Sequence, residues 1–291
     1  MKHLGSALAV VAICVSISAG VVALGSSGGL VWNGLPLLAV CAAFAFAVQW
    51  AAWVPASIAR TEAYYDLTGS LTYLSTVGFA LWAGGGERPI ELRQWLLAGC
   101  VVVWAGRLGT FLFRRIRRDG KDGRFDDLKT HPLRFIVPWT LQGLWVVLTA
   151  SAVLITLTRA EPGGPLGPLD AVGFGLWALG FAIEVVADRQ KAAFRARPAS
   201  AGRWIDEGLW SRARHPNYFG EILLWAGLAV VGAGVFTGGQ WIGLISPVFV
   251  AVLLLFVSGV PLLDARAKER WGDDPAYQAY RARTRVLLPL P

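Results

Sequence analysis

Charge is what this chain has least of for its length. Only 16% of its 291 residues are charged, against 55% hydrophobic, and mean hydropathy is +0.52. Soluble domains carry nearer a quarter charged residues, so the composition excludes an ordinary soluble enzyme and indicates a polytopic membrane protein. Cysteine is scarce as well. The three present, Cys14, Cys41 and Cys100, lie in apolar runs without CxxC spacing, which excludes a disulfide framework and leaves no metal site. There is no Walker loop and no GxGxxG. The glycine cluster AGGGERP (83–89) lacks the strand–helix setting that a dinucleotide fingerprint needs, so a Rossmann domain is excluded. The polar segments lack the alternating pattern of a sheet, and no internal repeat is present. Net charge is +8, but the basic residues sit in a few short loops rather than across a patch, so nucleic acid is not an expected partner.

What is there is a series of apolar segments, roughly 7–25, 31–56, 71–83, 94–113, 134–158, 169–187, 217–236 and 241–263. A spanning helix needs about 20 apolar residues, so the chain reads as an all-α bundle of seven or eight spanning helices. Segment 71–83 is short and is expected to begin earlier, within the polar DLTGS stretch. The first segment follows Lys2 and His3 and reads as either a signal peptide or a retained anchor. No small-x-small cleavage pattern stands out, which favours the anchor. Residues 1–30 are therefore set apart from a membrane domain over 31–291.

With an inside N-terminus and eight crossings, all but four of the 27 Lys and Arg residues fall in inside loops. The four are Arg88, Arg93 and Arg159, outside, and Arg107, within a helix. The positive-inside rule then puts both termini and the polar segments 114–133, 188–216 and 264–291 in the cytoplasm, and the expected location is the bacterial inner membrane.

Four groups of residues carry potential chemistry. In GLWSRARHPNYFGE (208–221), Pro216 suits the first turn of a helix. Arg214 and His215 then stand at the helix entrance, with Asn217 and Glu221 one turn apart on one face. A glutamate entering a lipid-embedded helix is costly and implies a polar ligand or partner. In AIEVVADRQKAAFRAR, Glu184 and Asp188 also stand one turn apart and repel unless donors or cations satisfy them. Ribose hydroxyls or a carboxamide would serve, as would a structural ion pair to Arg189 or Arg195. Arg107 lies inside VVVWAGRLGTFLF, ahead of the mixed-charge loop 114–129, and must snorkel or meet an anion. In ARTEAYYDLTGSLTYL (59–74), Tyr65 and Asp66 occur where the chain re-enters the membrane and would face a substrate arriving from the bilayer. The tail holds Tyr277 and Tyr280, placed either on an interfacial helix or closing over a cofactor.

GLWSRARHPNYFGE, together with RLGTFLFRRIRRDGKDGRFDDLK, DRQKAAFR and RWGDDPAYQAYRARTRVLLP, resembles the bacterial DUF1295 proteins of the steroid 5-alpha-reductase-like family, from about Asp66 to the C-terminus. The resemblance implies NADPH bound within a helical bundle. It makes Asp188, Arg195, Arg203, Asn217 and Glu221 cofactor contacts, with Tyr218 at an aromatic cofactor-lining position. Arg118, aligned through Arg107, matches a phosphate-region arginine. Glu184 takes the place of an asparagine, and Arg214 and His215 replace small residues. The family's substrate-binding tyrosine falls on Trp104 and no glutamate aligns, so Tyr65 and Asp66 are the substitutes expected to act on substrate. The implied reaction is reduction of a lipophilic enone by NADPH. The bare RHPxY pattern is shared with isoprenylcysteine carboxyl methyltransferases, so the alternative is an S-adenosylmethionine-dependent methyltransferase of a lipid or prenylated acceptor.

Overall fold

A computed structural model describes residues 2–119 and 122–289, leaving aside the side chains of residues 2–4, 115, 118 and 119. The chain is an all-α membrane protein, and its helices begin where the sequence supplies a start signal. Proline occupies the first position of α5 (Pro132–Thr149), α7 (Pro168–Ala196), α8 (Pro216–Ala233) and α11 (Pro275–Arg283), where its missing N–H has no intrahelical partner to lose. The others are α1 (Lys2–Gly25), α2 (Leu37–Ala59), α3 (Tyr65–Glu87), α4 (Leu92–Asp119), α6 (Ser151–Leu157), α9 (Ile245–Val252) and α10 (Val260–Trp271).

Among the described residues, five stretches are long and apolar enough to cross a membrane: Gly5–Gly25, Leu37–Ala59, Leu92–Arg114, Pro168–Ala196 and Gly238–Trp271. The pair α5–α6 makes a sixth if counted as one span, bent by 61°. α3 and α8 have the length but carry more polar residues, and with them the helices follow the eight expected segments. α3 starts at Tyr65, within the polar stretch, as its short apolar run required.

Boundaries differ from the sequence reading in several places: the segment 241–263 is divided, with α9 ending at Val252 and α10 running from Val260 to Trp271, and α4 continues to Asp119. Residues 31–36 are not helical but form a two-stranded hairpin, β1 (Val31–Trp32) and β2 (Leu35–Pro36). Asn33 (φ 48°) and Gly34 (φ 81°) both occupy the left-handed region, the requirement of a two-residue hairpin turn. The segment 134–158 is broken at Ala150 without a proline or glycine there. Ser151 Oγ donates to the Gly243 carbonyl at 3.3 Å, and Gly243 lies so close that a Cβ on it would stand 3.2 Å from the Ala152 Cα, so packing sets the bend. Finally, α7 runs on to Ala196 rather than ending near residue 187.

The chain divides into two compact units. The first comprises Met1–Gly167 and Gly232–Ile245, the second Pro168–Val231 and Ser246–Pro291. In the first, α1 packs along α5, and α3 along α4. One end is laced by arginines that stood outside the positive-inside pattern. Arg88 Nε donates to the Arg159 carbonyl (3.1 Å), Arg93 to the carbonyls of Gly164 and Pro165 (3.3 and 3.0 Å), and Arg159 to Gln240 Oε1 (3.0 Å).

In the second unit, α7 and α8 touch backbone to backbone at two places. A Cβ on Gly220 would stand 2.5 Å from the Gly180 carbonyl oxygen, and one on Gly227 would stand 2.5 Å from that of Gly173. Glycines seven apart on each helix recur on one face, which lets the axes approach more closely than any side chain would permit.

Candidate functional site

The α7–α8 contact fixes the register of the polar residues that follow it. Gly180 meets Gly220, and a Cβ on Gly220 would also lie 2.7 Å from the Glu184 backbone nitrogen. Glu184 is therefore seated against the first turns of α8, and it is 4% exposed. Asp188 continues along α7 by one turn, half-buried, while Asn217, Tyr218 and Glu221 share the opening turns of α8, also half-buried. These are the residues that the sequence grouped, and the second unit holds them on two helices locked together. Arg195, in the last turn of α7, and Arg203, in the following loop, are exposed.

The segment leading into α8 is braced from three directions. From α7, Gln190 Oε1 accepts the Leu209 N–H (2.9 Å), and the Ala187 carbonyl accepts the Trp210 indole N–H (2.9 Å). From the tail, Tyr280 donates its hydroxyl to the Trp210 carbonyl (2.8 Å). Further on, the Arg214 and His215 N–H groups donate to the carbonyls of Arg285 and Val286 at 2.8 and 3.0 Å. Tyr277 and Tyr280 are buried against Trp204, with ring centroids 5.1 and 6.4 Å away. They serve this brace.

Asp264, on α10, escaped the sequence reading. Its carboxylate accepts from Arg214 (3.2 Å) and Arg281 (3.0 Å). Arg214, expected to face a cofactor, is thus already engaged by a carboxylate. His215 is 6% exposed and stacks on Tyr218 with centroids 5.3 Å apart and planes within 9°. Its Nε2 lies 3.8 Å from Asp264, and neither ring nitrogen makes a hydrogen bond among the described residues. Burial, aided by the charges of Lys191 and Arg214 and opposed by Asp264, pushes the imidazole down to about 4, so at neutral pH the ring is uncharged.

Tyr65 and Asp66 belong to the first unit, in the opening turn of α3. The Tyr65 hydroxyl donates to the Pro138 carbonyl at 2.8 Å, and its ring packs between Phe125 and Trp139 at 4.8 and 5.1 Å. Beside them Glu62 anchors the loop after α4. It accepts from Lys129 Nζ (2.8 Å) and the Asp122 N–H (3.0 Å). Burial alone would raise its carboxyl, but these donors outweigh burial and hold it below the usual range. Replacing Glu62 with Gln removes both charge-assisted bonds as they stand, at a cost of about 1–3 kcal/mol. Trypsin should then cut faster at Arg124 and Lys129, and an unchanged cleavage rate would refute this anchor. Arg107 lies half-buried on α4, and the side chain of Arg118 lies outside the described residues. Among those residues no group of three or more His, Cys, Asp or Glu could hold a metal ion.

A membrane-embedded helical protein with an acidic and amide cluster on two locked helices is the class that fold and site define. Residues 52–284 match the family described as "Protein of unknown function (DUF1295)", and the chain belongs to that family, which is related to the steroid 5-alpha-reductases. A curated relative from Ustilaginoidea virens, "Probable O-methyltransferase ustE", is 30% identical over 114 residues, or 34% of this chain. The match spans 40% of that relative's length. No solved structure matches.

Proposed function

We propose that the chain is a membrane-embedded reductase that uses NADPH to saturate a conjugated, lipophilic double bond such as a 4-en-3-one. The supporting observation is the Gly180–Gly220 contact, which sets Glu184 and Asp188 in register with the turn bearing Asn217 and Glu221. The donor set suits the cofactor: carboxylates and an amide accept from ribose hydroxyls and a carboxamide, and the exposed Arg195 and Arg203 meet phosphates. Arg214, paired with Asp264, positions the start of α8 instead. When bound, NADPH supplies the hydride. The chain's part is to hold the cofactor, exclude water and donate a proton to the developing enolate. Tyr65 serves that last role only if its hydroxyl leaves the Pro138 carbonyl, with Asp66 beside it. Both termini and the arginine-rich segments face the cytoplasm, NADPH enters from that side, and substrate enters from the bilayer.

A second reading, methyl transfer from S-adenosylmethionine to a lipid or prenylated acceptor, has support from the name of the fungal relative and from the RHPxY pattern. Titration of purified, detergent-solubilised protein with NADPH, NADH and S-adenosylmethionine separates the two. NADPH should raise the unfolding temperature more than NADH does. Asn217→Ala and Glu221→Ala should each weaken NADPH binding about tenfold or more. Stabilisation by S-adenosylmethionine with none by NADPH would favour methyl transfer, and a response to neither would sink both.

A further inference from the structure

The first unit carries a groove that the cofactor reading does not use. It lies between α3 and α4 and encloses about 610 Å³, within the ~300–1,000 Å³ typical of ligand sites. Its floor is formed where the two helices touch. A Cβ on Gly109 would stand 2.7 Å from the Ser70 Cβ, and the small residues Ala105 and Gly106 continue the hollow along α4. Leu67, Leu71 and Leu74 form the α3 wall. The hydroxyl of Thr110, on the α4 side, is taken up by the Gly106 carbonyl at 2.7 Å, so it adds little polarity. At one end only, the lining becomes charged, with Arg114 and Arg117. The Arg117 guanidinium sits over the Phe113 ring, 5.7 Å from its centroid, which keeps its N–H groups at the rim.

The position of this charged end identifies the occupant. The apolar run VVVWAGRLGTFLF on α4 ends at Phe113 and gives way to Arg114, so Arg114 is placed at headgroup depth and Arg117 one turn beyond it, while the apolar hollow runs back beneath the membrane surface. We infer that the α3–α4 groove is a binding site for an anionic phospholipid, its phosphate on Arg114 and Arg117 and one acyl chain along Gly106 and Gly109. Two guanidiniums match phosphate oxygens in a way that a zwitterionic headgroup, carrying its own cation, satisfies less well.

The test is lipid retention by the full chain, read by native mass spectrometry after extraction from bilayers holding equal phosphatidylglycerol and phosphatidylcholine with identical acyl chains. The wild type should keep phosphatidylglycerol in clear preference. Arg114→Gln with Arg117→Gln should abolish that preference, with affinity falling about tenfold or more. Gly106→Leu offers an independent probe, because a Cβ at Gly106 meets nothing within 4 Å, so the side chain fills the groove without disturbing the helix contact. It should remove retained lipid of both kinds while the unfolding temperature holds. Equal retention of the two lipids by the wild type, or unchanged retention by both variants, would overturn the assignment. Displacement of the lipid by inorganic phosphate alone would do the same, since it would make the site one for a free anion.

Discussion

Gly220→Ala should destabilise the protein by about 1–3 kcal/mol, the usual result of forcing a methyl into filled space. The added carbon would arrive 2.5 Å from the Gly180 carbonyl oxygen and 2.7 Å from the Glu184 nitrogen. Both are backbone atoms of a long helix and cannot rotate away, so the helices must separate. Gly180→Ala meets the Gly220 carbonyl and the Leu224 nitrogen, each at 2.6 Å, and should cost a similar amount. Because both methyls enter one contact, the double variant should lose less than the sum of the single losses. Gly175→Ala is the control: it lies on the same helix, its Cβ meets nothing within 4 Å, and alanine is the better helix former. It should be neutral or mildly stabilising. Thermal unfolding in detergent measures all four, and equal behaviour of Gly175→Ala and Gly220→Ala would contradict the close contact.

Acidification should expose the buried His215. With an ordinary value near 6.5 when unfolded and about 4 when folded, the unfolded chain binds the proton more readily. The stability that comes from keeping this ring neutral is complete above pH 6.5. It is lost progressively as the pH falls to about 4, to a total of about 3 kcal/mol. The groups facing the ring are Asp264 on α10, Lys191 on α7, and Arg214 and Tyr218 on its own strand of chain. A glutamine amide does not titrate in this range, so His215→Gln should lack this component. Unfolding followed from pH 7.5 to 4.5 should show a shallower slope in the variant, and identical slopes in both proteins would refute the burial argument.

The sequence made the helices legible because most apolar runs are long and four helices open on a proline. It also paired Glu184 with Asp188, and Asn217 with Glu221, by helical spacing, and each pair stands one turn apart on its own helix. The Asn33–Gly34 hairpin carries a turn signal in its sequence, but the apolar residues on either side merged it into the segment 31–56. Other features depended on contacts that no local pattern carries. Asp264 lies 50 residues from Arg214, and nothing near either residue announces the other. The glycines of the α7–α8 contact stand at a regular spacing of seven, but among 34 glycines that spacing gains meaning only once the two helices are opposed. The bend at Ala150 has the same origin, since Gly243 imposes it from far along the chain.

The brace on the start of α8 has a consequence for biogenesis. Trp210 and Tyr280 are 70 residues apart, and the Arg285 and Val286 carbonyls come later still. A ribosome therefore releases the segment 208–215 with its α7 partners, Gln190 and Ala187, already made, but well before the tail that completes the brace. Until the tail emerges, α8 can insert with its polar threshold held from one side only, so maturation of the site must trail membrane insertion.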